Sequence, residues 1–297
     1  MYHNPVLLKE SVEGLNIKSD GLYVDVTYGG GGHSREILKH LTTGKLYAFD
    51  QDDDAFANRI TDEKLILIKQ NFRYMKNFLK MYNALPVDGI LADLGVSSHQ
   101  FDEGTRGFST RFEGVLDMRM DQSGKETAAD IINHYEEQAL IKIFSEYGEV
   151  ENSKRLAACI VKERAVKPIK TTEELKQAII SCTPKMKPQQ YLAKVFQALR
   201  IAVNRELDVL QEFLMQCTEV LKPGGRLAVI SYHSLEDRLV KNFIRSGNFE
   251  GKVEQDFYGN KLVNFKAVNR QIITPSEAEL TDNSRSRSAK LRIAEKL

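Results

Sequence analysis

Cysteine is scarce in this 297-residue chain, and the three present, Cys159, Cys182 and Cys217, form no C-x-x-C spacing. Such an odd, sparse set offers no zinc site and fits a reducing, cytoplasmic setting. No run approaches ~18 consecutive apolar residues, so no membrane-spanning segment is expected. The opening MYHNPVLLKESVEGL lacks a basic stretch followed by an apolar one, so no secretory leader is expected either. Internal repeats, low-complexity tracts and clustered metal ligands are also missing, and no resident metal is expected. The net charge of +1 argues neither for nor against a polyanionic partner.

What is present is ample core material. With 42% hydrophobic and 28% charged residues, the chain can bury a sizeable interior and is no candidate for disorder. Residues 21–95 alternate regularly. GLYVDVTY, KLYAFD, KLILIKQ and VDGILADLGV read as buried strands, with helical patterns of about ten residues between them. That rhythm predicts βαβ units and a mostly parallel, doubly wound sheet covered on both faces. From about 104 to 194 the chain turns polar and helical, and Thr171 or Thr172 with Glu174 reads as a helix N-cap. One long helix is expected over ALRIAVNRELDVLQEFLMQCTEVL, stopped by KPGG. The strand GGRLAVISYH, a helix from Ser234 and a terminal strand pair in VNFKAVNRQI and SAKLRIAEKL then resume the α/β pattern. The expected division is an α/β core over 1–104 and 198–297, interrupted after its fourth strand by a helical insertion over 105–197.

The turn VDVTYGGGGHS follows the first strand and opens a helix, where doubly wound folds bind ligands. Gly29 and Gly31 fit G-x-G, with Ser34 in place of a third glycine, and Asp50 lies about 20 residues on, suited to ribose hydroxyls. No Lys-Ser/Thr follows the glycines, so this is not a Walker loop. Asp25 in the first strand, Asp50 after the second and Asp93 after the fourth bring three carboxylates to one crevice. That sign of charge suits a cation better than a pyrophosphate. S-adenosylmethionine carries a sulfonium and an ammonium, and its carboxylate could take the loop amides at the helix N-terminus. A nicotinamide-dependent oxidoreductase would also explain the glycines and Asp50 but leaves the other carboxylates unused. A non-catalytic RNA-binding protein with a vestigial cofactor fold is the third reading.

Taken together, HNPVLLKE, YVDVTYGGGGHS, AFDQD, VDGILADLGVSSHQFD, RGFS, LDMRMD, FQALRIAVNRELDVL, LKPGGRLAVISYHSLEDRLVK and RSRSAKLR resemble the ribosomal RNA small-subunit methyltransferase H family. The likeness runs from about residue 3 to 294. It implies a Rossmann-like class I methyltransferase fold, S-adenosylmethionine as cofactor, and methylation of a cytidine N4 in the decoding region of 16S ribosomal RNA. The expected partner is that RNA within the small ribosomal subunit. The resemblance assigns cofactor contacts to Gly31, Gly32, His33, Asp50, Phe72, Asp93 and Gln100. Two departures stand out: Gly30 replaces an arginine in TFGRGGHS, and His99 replaces a proline in SSPQ.

A cytosine N4 amine is a poor nucleophile, so an acceptor for its N–H bonds would help to align it, and alignment in full is worth ~7–11 kcal/mol. Asp93, opening DLGVSS, is the candidate, although the usual proline-rich amine motif is missing. His233 in SYHSLEDR could contact the base or carry the released proton. It reads equally as a histidine at a helix start, with Ser234 as N-cap and Asp237 at N3. Ser97 and Ser98 are weaker candidates for hydrogen-bonding the base. Phe72 could stack on adenine or be an ordinary core aromatic.

Charge is uneven. Residues 151–205 hold twelve Lys/Arg against four Asp/Glu, a balance of +8, whereas 102–150 hold eleven acids and five bases. The basic stretch, with Arg285, Arg287, Lys290 and Arg292 of the tail, predicts RNA-backbone contact. Arg106, Arg111 and Arg119 are separate candidates for the target nucleotide, which must leave its stack to be methylated.

Overall fold

The computed structural model describes residues 5–57, 59–96, 104–269 and 271–297. The chain forms two compact units, one of Met1–Gly95 with Leu207–Leu297 and the other of Val96–Glu206. Among the described residues, no helix is long and apolar enough to cross a membrane.

The first unit carries a seven-stranded sheet: β1 Leu22–Asp25, β2 Lys45–Asp50, β3 Leu65–Lys69, β4 Val87–Asp93, β5 Leu221–Ser231, β6 Phe265–Ala267 and β7 Lys290–Lys296. Its order is β3-β2-β1-β4-β5-β7-β6. Strands β1 to β5 are parallel, and β7 runs antiparallel between β5 and β6. The chain winds outward from β1 through β2 to β3, then returns to β4 on the other side of β1. The β1/β4 boundary is therefore the switch point at which such sheets open a crevice at their carboxyl ends. Asp25 and Asp93 end the two strands that flank it, and Asp50 ends the next strand along.

Period-two alternation sorts the strand side chains onto two covered faces. Val24, Ile90, Ala92, Leu227 and Val229 point to one, against Met75 and Leu79 of α4 (Met75–Met81), which follows the short α3 (Asp53–Ala57), and Phe213, Leu214 and Cys217 of α10 (Glu206–Val220). Phe243 of α11 (Ser234–Ser246) joins them. Tyr23, Leu46, Leu91, Ala228 and Ile230 point to the other, against α1 (Leu8–Gly14) and α2 (Gly32–His40). Each such large side chain contributes roughly 1.5–3 kcal/mol by leaving water.

In the second unit α5 (Ala128–His134), α6 (Glu137–Glu146), α7 (Ser153–Val166), α8 (Thr172–Ala178) and α9 (Pro188–Asn204) enclose Ile131, Leu140, Phe144, Leu156, Leu175, Val195 and Leu199. Thr171 caps α8 in a capping box with Glu174, as the sequence predicts, and Thr127 with Asp130 does the same for α5.

One local expectation is corrected. The long helix is two, because Arg205 takes a left-handed conformation (φ 50°) between α9 and α10. Asn204 fixes the break by donating to the Met118 carbonyl and accepting from the Met120 N–H, and Arg200 bridges it with two bonds to Glu206. The second of these helices ends at Val220, just before KPGG. That stretch is taken into the start of β5 as an irregularity, where Val87 pairs with Leu221 and Gly89 with Arg226.

Candidate active site

The glycine turn is shaped by its neighbours. Gly31 caps α2 at φ 73°, where a side chain would be strained, and a Cβ on Gly32 would collide with the Pro5 ring. The Gly29 N–H donates to Asp50 Oδ2 (2.7 Å), and the Asp52 N–H donates to Oδ1 (2.9 Å). Asp50 thus holds the turn against the end of β2. Burial pushes its carboxyl up to about 6, and these N–H bonds only partly offset that.

Asp93 is gripped from several sides. The Tyr232 hydroxyl donates to Oδ1 (2.8 Å), and His33 Nδ1 lies 3.8 Å from Oδ2. Its own N–H donates to Thr27 Oγ1 (2.7 Å), tying β4 to the residues after β1. Burial again raises this carboxyl to about 6. His33 and Tyr232 pull it down, and Asp25 and Glu236 push it up. The second ring nitrogen of His33, Nε2, lies 3.0 Å from the Val6 carbonyl. That oxygen can only accept, so Nε2 carries a hydrogen and Nδ1 is the atom presented to Asp93.

Asp25 differs from its two neighbours. It is almost completely buried, with Oδ2 accepting from Ser34 Oγ (2.6 Å) and Oδ1 from the Thr27 N–H (3.1 Å). Burial raises its pKa too. Of the three strand-end carboxylates, this is the one that is fully buried, and it acts as an internal brace. Ser34, which stands where a dinucleotide turn has its third glycine, supplies that brace.

Phe72 begins a short turn after β3 and sets its ring edge-on to Phe213, with centroids 5.4 Å apart. The ring is half-buried. Asn71 beside it donates to Gln51 (2.7 Å), joining the ends of β2 and β3. Gln100, with Ser97, Ser98 and His99, lies outside the described residues.

His233 itself is the N-cap of α11, with Glu236 at N3, in place of the expected Ser234 and Asp237. Glu236 is buried and accepts from the N–H groups of Tyr232 (2.9 Å) and His233 (3.3 Å). Asp237 is occupied instead by Arg292 (2.7 Å). His233 Nε2 lies 3.2 Å from Glu236 Oε1 but makes no aligned hydrogen bond. The cap turn also carries Tyr232 over Asp93, a contact that reading the sequence missed. Asp93 pairs in register with Ile230 of β5, so the residue two further on falls just beyond the strand ends.

In the second unit two of the candidate arginines are already engaged. Arg119 forms a bidentate pair with Asp117 and donates to the Gln122 and Gly124 carbonyls. Arg106 donates to the Arg119 and Met120 carbonyls and lies over the Phe108 ring. Arg111 is exposed, as are Lys154, Lys162, Lys185 and Lys187.

The sequence matches the MraW methylase family over residues 1–297. The chain belongs to that family. Among its relatives, the ribosomal RNA small subunit methyltransferase H of Christiangramia forsetii is 59% identical over all of this chain and 98% of that protein. The protein of the same name from Cytophaga hutchinsonii is 57% identical, with all of both chains covered. A crystal structure of an rRNA methylase from Streptococcus thermophilus resembles it loosely, with a TM-score of 0.45 and 14% identity over 99% of this chain and 98% of that one. Like the rest of the MraW methylase family, this chain uses S-adenosylmethionine as its methyl donor. The residues at the sheet edge fit that cofactor. Desolvated Asp50 and Asp93 sit beside a glycine turn that a Cβ would obstruct, and a cation there would relieve the penalty of their ionisation.

Proposed function

We propose that this chain methylates the N4 amine of a cytidine in the decoding region of 16S ribosomal RNA, and that it works in the cytoplasm. The reading is carried by the pair of desolvated carboxylates, Asp50 and Asp93, beside the switch point of a methylase-family sheet. It draws further support from the ribosomal RNA small subunit named for its full-length relatives.

When bound, S-adenosylmethionine supplies an electrophilic methyl group on a sulfonium. The N–H groups of Gly32 and His33 at the start of α2 would hold its carboxylate, with Gly31, whose own N–H donates to the Tyr28 carbonyl (2.7 Å), shaping the turn against it. Asp50 would take ribose hydroxyls, and Phe72 would flank the adenine. Asp93 receives positive charge, with Tyr232 and His33 fixing the direction of its two oxygens. Gln100 completes the contacts that the family resemblance implies. The same Asp93, accepting from the cytidine amine, would hold it in line for attack. His233, adjacent to Tyr232, is the group assigned to the base or to the released proton. The residue 105–197 segment is assigned to RNA recognition, with Lys154, Lys162, Lys185, Lys187 and Arg111 on phosphates.

The test uses tritiated-methyl S-adenosylmethionine and small-subunit particles from cells lacking the enzyme. Label in N4-methylcytidine of the recovered RNA is the expected result. Cofactor binding with no label in any RNA nucleoside would sink the substrate assignment.

A further inference from the structure

Residues 247–264, between α11 and β6, use their aromatic side chains in two opposite ways. Phe249 is packed flat on Phe243 of the core, with centroids 5.2 Å apart and planes 15° apart. Phe257 and Tyr258, a few residues on, are 96% and 85% exposed, among the most exposed large hydrophobic side chains described. Water alone gives no reason to place two adjacent aromatic rings there.

The backbone that carries them is well braced. At its base, Arg245 donates to the Gly251 carbonyl, Asn242 to the Phe249 carbonyl, and Asn248 to the Lys252 carbonyl. The two arms meet at a Gln255–Lys261 bridge and at a bond from the Leu262 N–H to the Glu254 carbonyl. At the tip, Asp256 Oδ1 accepts from the N–H groups of Tyr258 (2.8 Å) and Asn260 (2.9 Å), and Oδ2 from the Asn260 amide (2.9 Å). Gly259, at φ 84°, closes the turn with nothing near its Cα. These bonds, led by that from the Asn260 side chain, hold the Asp256 carboxyl below its ordinary range. The rings stand nearly perpendicular, 87° apart with centroids at 5.5 Å, so each keeps a face open. Lys252 and Lys261 are exposed on the two arms, as are Glu250 and Glu254, so any contact made here must come from the rings and not from net charge.

We infer that this tip is a stacking site for unpaired bases of the RNA substrate. The inference rests on the ribosomal RNA reading above and adds a contact that no part of that reading requires. A protein partner is the poorer fit. A specific protein interface buries on the order of 1,000 Å² or more, whereas two side chains on a narrow turn offer far less. A nucleobase needs only one open ring face, and aromatic stacking is how single-stranded RNA is commonly gripped. Pre-bracing by Asp256 removes most of the ordering that such a contact would otherwise demand.

The chain contains no tryptophan, so Phe257→Trp places a single tryptophan at the tip, whose emission can be excited apart from that of the tyrosines. Titration with a single-stranded oligoribonucleotide of decoding-region sequence is expected to quench its emission. In filter binding, Phe257→Ala and Tyr258→Ala should each weaken wild-type RNA affinity by about 10-fold. The slope of affinity against salt should stay as in the wild type, because no phosphate contact is lost. Binding of labelled S-adenosylmethionine should be unchanged in both variants, which controls for folding. RNA bound with unaltered emission and full affinity in the alanine variants would overturn the stacking site and leave the ribosomal RNA reading intact. Failure of the wild type to bind any RNA, while still binding the cofactor, would overturn both. A change in sedimentation of the variants with RNA affinity intact would assign the tip to a second copy of the chain and overturn the proposal.

Discussion

The strand-end carboxylates of the first unit and the paired carboxylates of the helical unit respond to their surroundings in opposite directions. At the sheet edge of the first unit Asp25, Asp50 and Asp93 are all pushed up, in each case chiefly by burial. In the helical unit Asp117, Asp130, Glu173 and Glu174 are all held down. For Asp117, burial pushes up but the bonds from Arg119 outweigh it; for the others a Thr127, Lys176 or Lys167 partner leads. Acids that cap helices and pair with neighbours are structural, and they are most comfortable ionised. Acids desolvated at strand ends are poised to gain from a positive ligand. All three have protein partners, but only Asp25 is fully buried, whereas Asp50 and Asp93 keep partial exposure, which separates a brace from two groups a ligand can reach.

Substitutions can sharpen or break that contrast. The largest effect is expected for Asp93→Asn, which keeps size and removes charge. S-adenosylmethionine affinity in equilibrium dialysis should fall by roughly 10–100-fold. Methylation lost with affinity intact would instead assign Asp93 to the substrate amine alone. Ser34→Ala comes next, because it deprives buried Asp25 of its 2.6 Å donor. Unfolding stability should drop by ~2 kcal/mol, with the cofactor contacts themselves untouched; a neutral result in urea melts would deny Asp25 its bracing role. Thr171→Ala removes the cap of α8 and should lower stability by ~1 kcal/mol without altering cofactor affinity.

The dependence on pH should also differ between the units. Asp50 and Asp93 bind protons more tightly folded than unfolded. Their contribution to unliganded stability is therefore full below about pH 4 and is lost as pH rises through about 6. Affinity for the cationic cofactor should rise over that same interval, as the carboxylates ionise. Glu174, held down to about 2, contributes stability above the ordinary carboxylate range that is lost as the solution is acidified toward that value. Calorimetry of wild type and Glu174→Gln from pH 7 to 3 should show the variant less sensitive to acid. If the two curves run parallel, the Lys167–Glu174 pairing is not formed in solution.

Much of this was legible in the chain itself. The strands announce themselves as short apolar runs because both sheet faces are covered, and the strand-end positions of Asp50 and Asp93 follow from those runs. The direction of a side chain does not. Whether Asp25 faces the crevice or Ser34 depends on a hydroxyl nine residues away, and the imidazole of His33 engages Asp93 only because the Val6 carbonyl holds its far side. Tyr232 reaches Asp93 across 139 residues of sequence, a distance at which pattern carries no signal. The break at Arg205 was hidden for a related reason. ALRIAVNRELDVL has a good helical pattern on both sides, and the interruption is imposed by Asn204 reaching back to residues 118 and 120.

The placement of the helical unit between β4 and β5 also bears on how the molecule assembles. Asp93 and Ile230 lie side by side in register in the sheet, yet the entire Val96–Glu206 unit is strung between them. The entropy of closing so long a loop grows only slowly, by ~0.6 kcal/mol for each doubling, so the arrangement does little harm to the finished fold. Speed is another matter, since pairings distant along the chain are formed late and slowly. Strands β1 to β4, whose pairings span less sequence than that of β4 with β5, are expected to gather first. A β4 edge left bare in that way would be a template for pairing with another chain until the helices have been made.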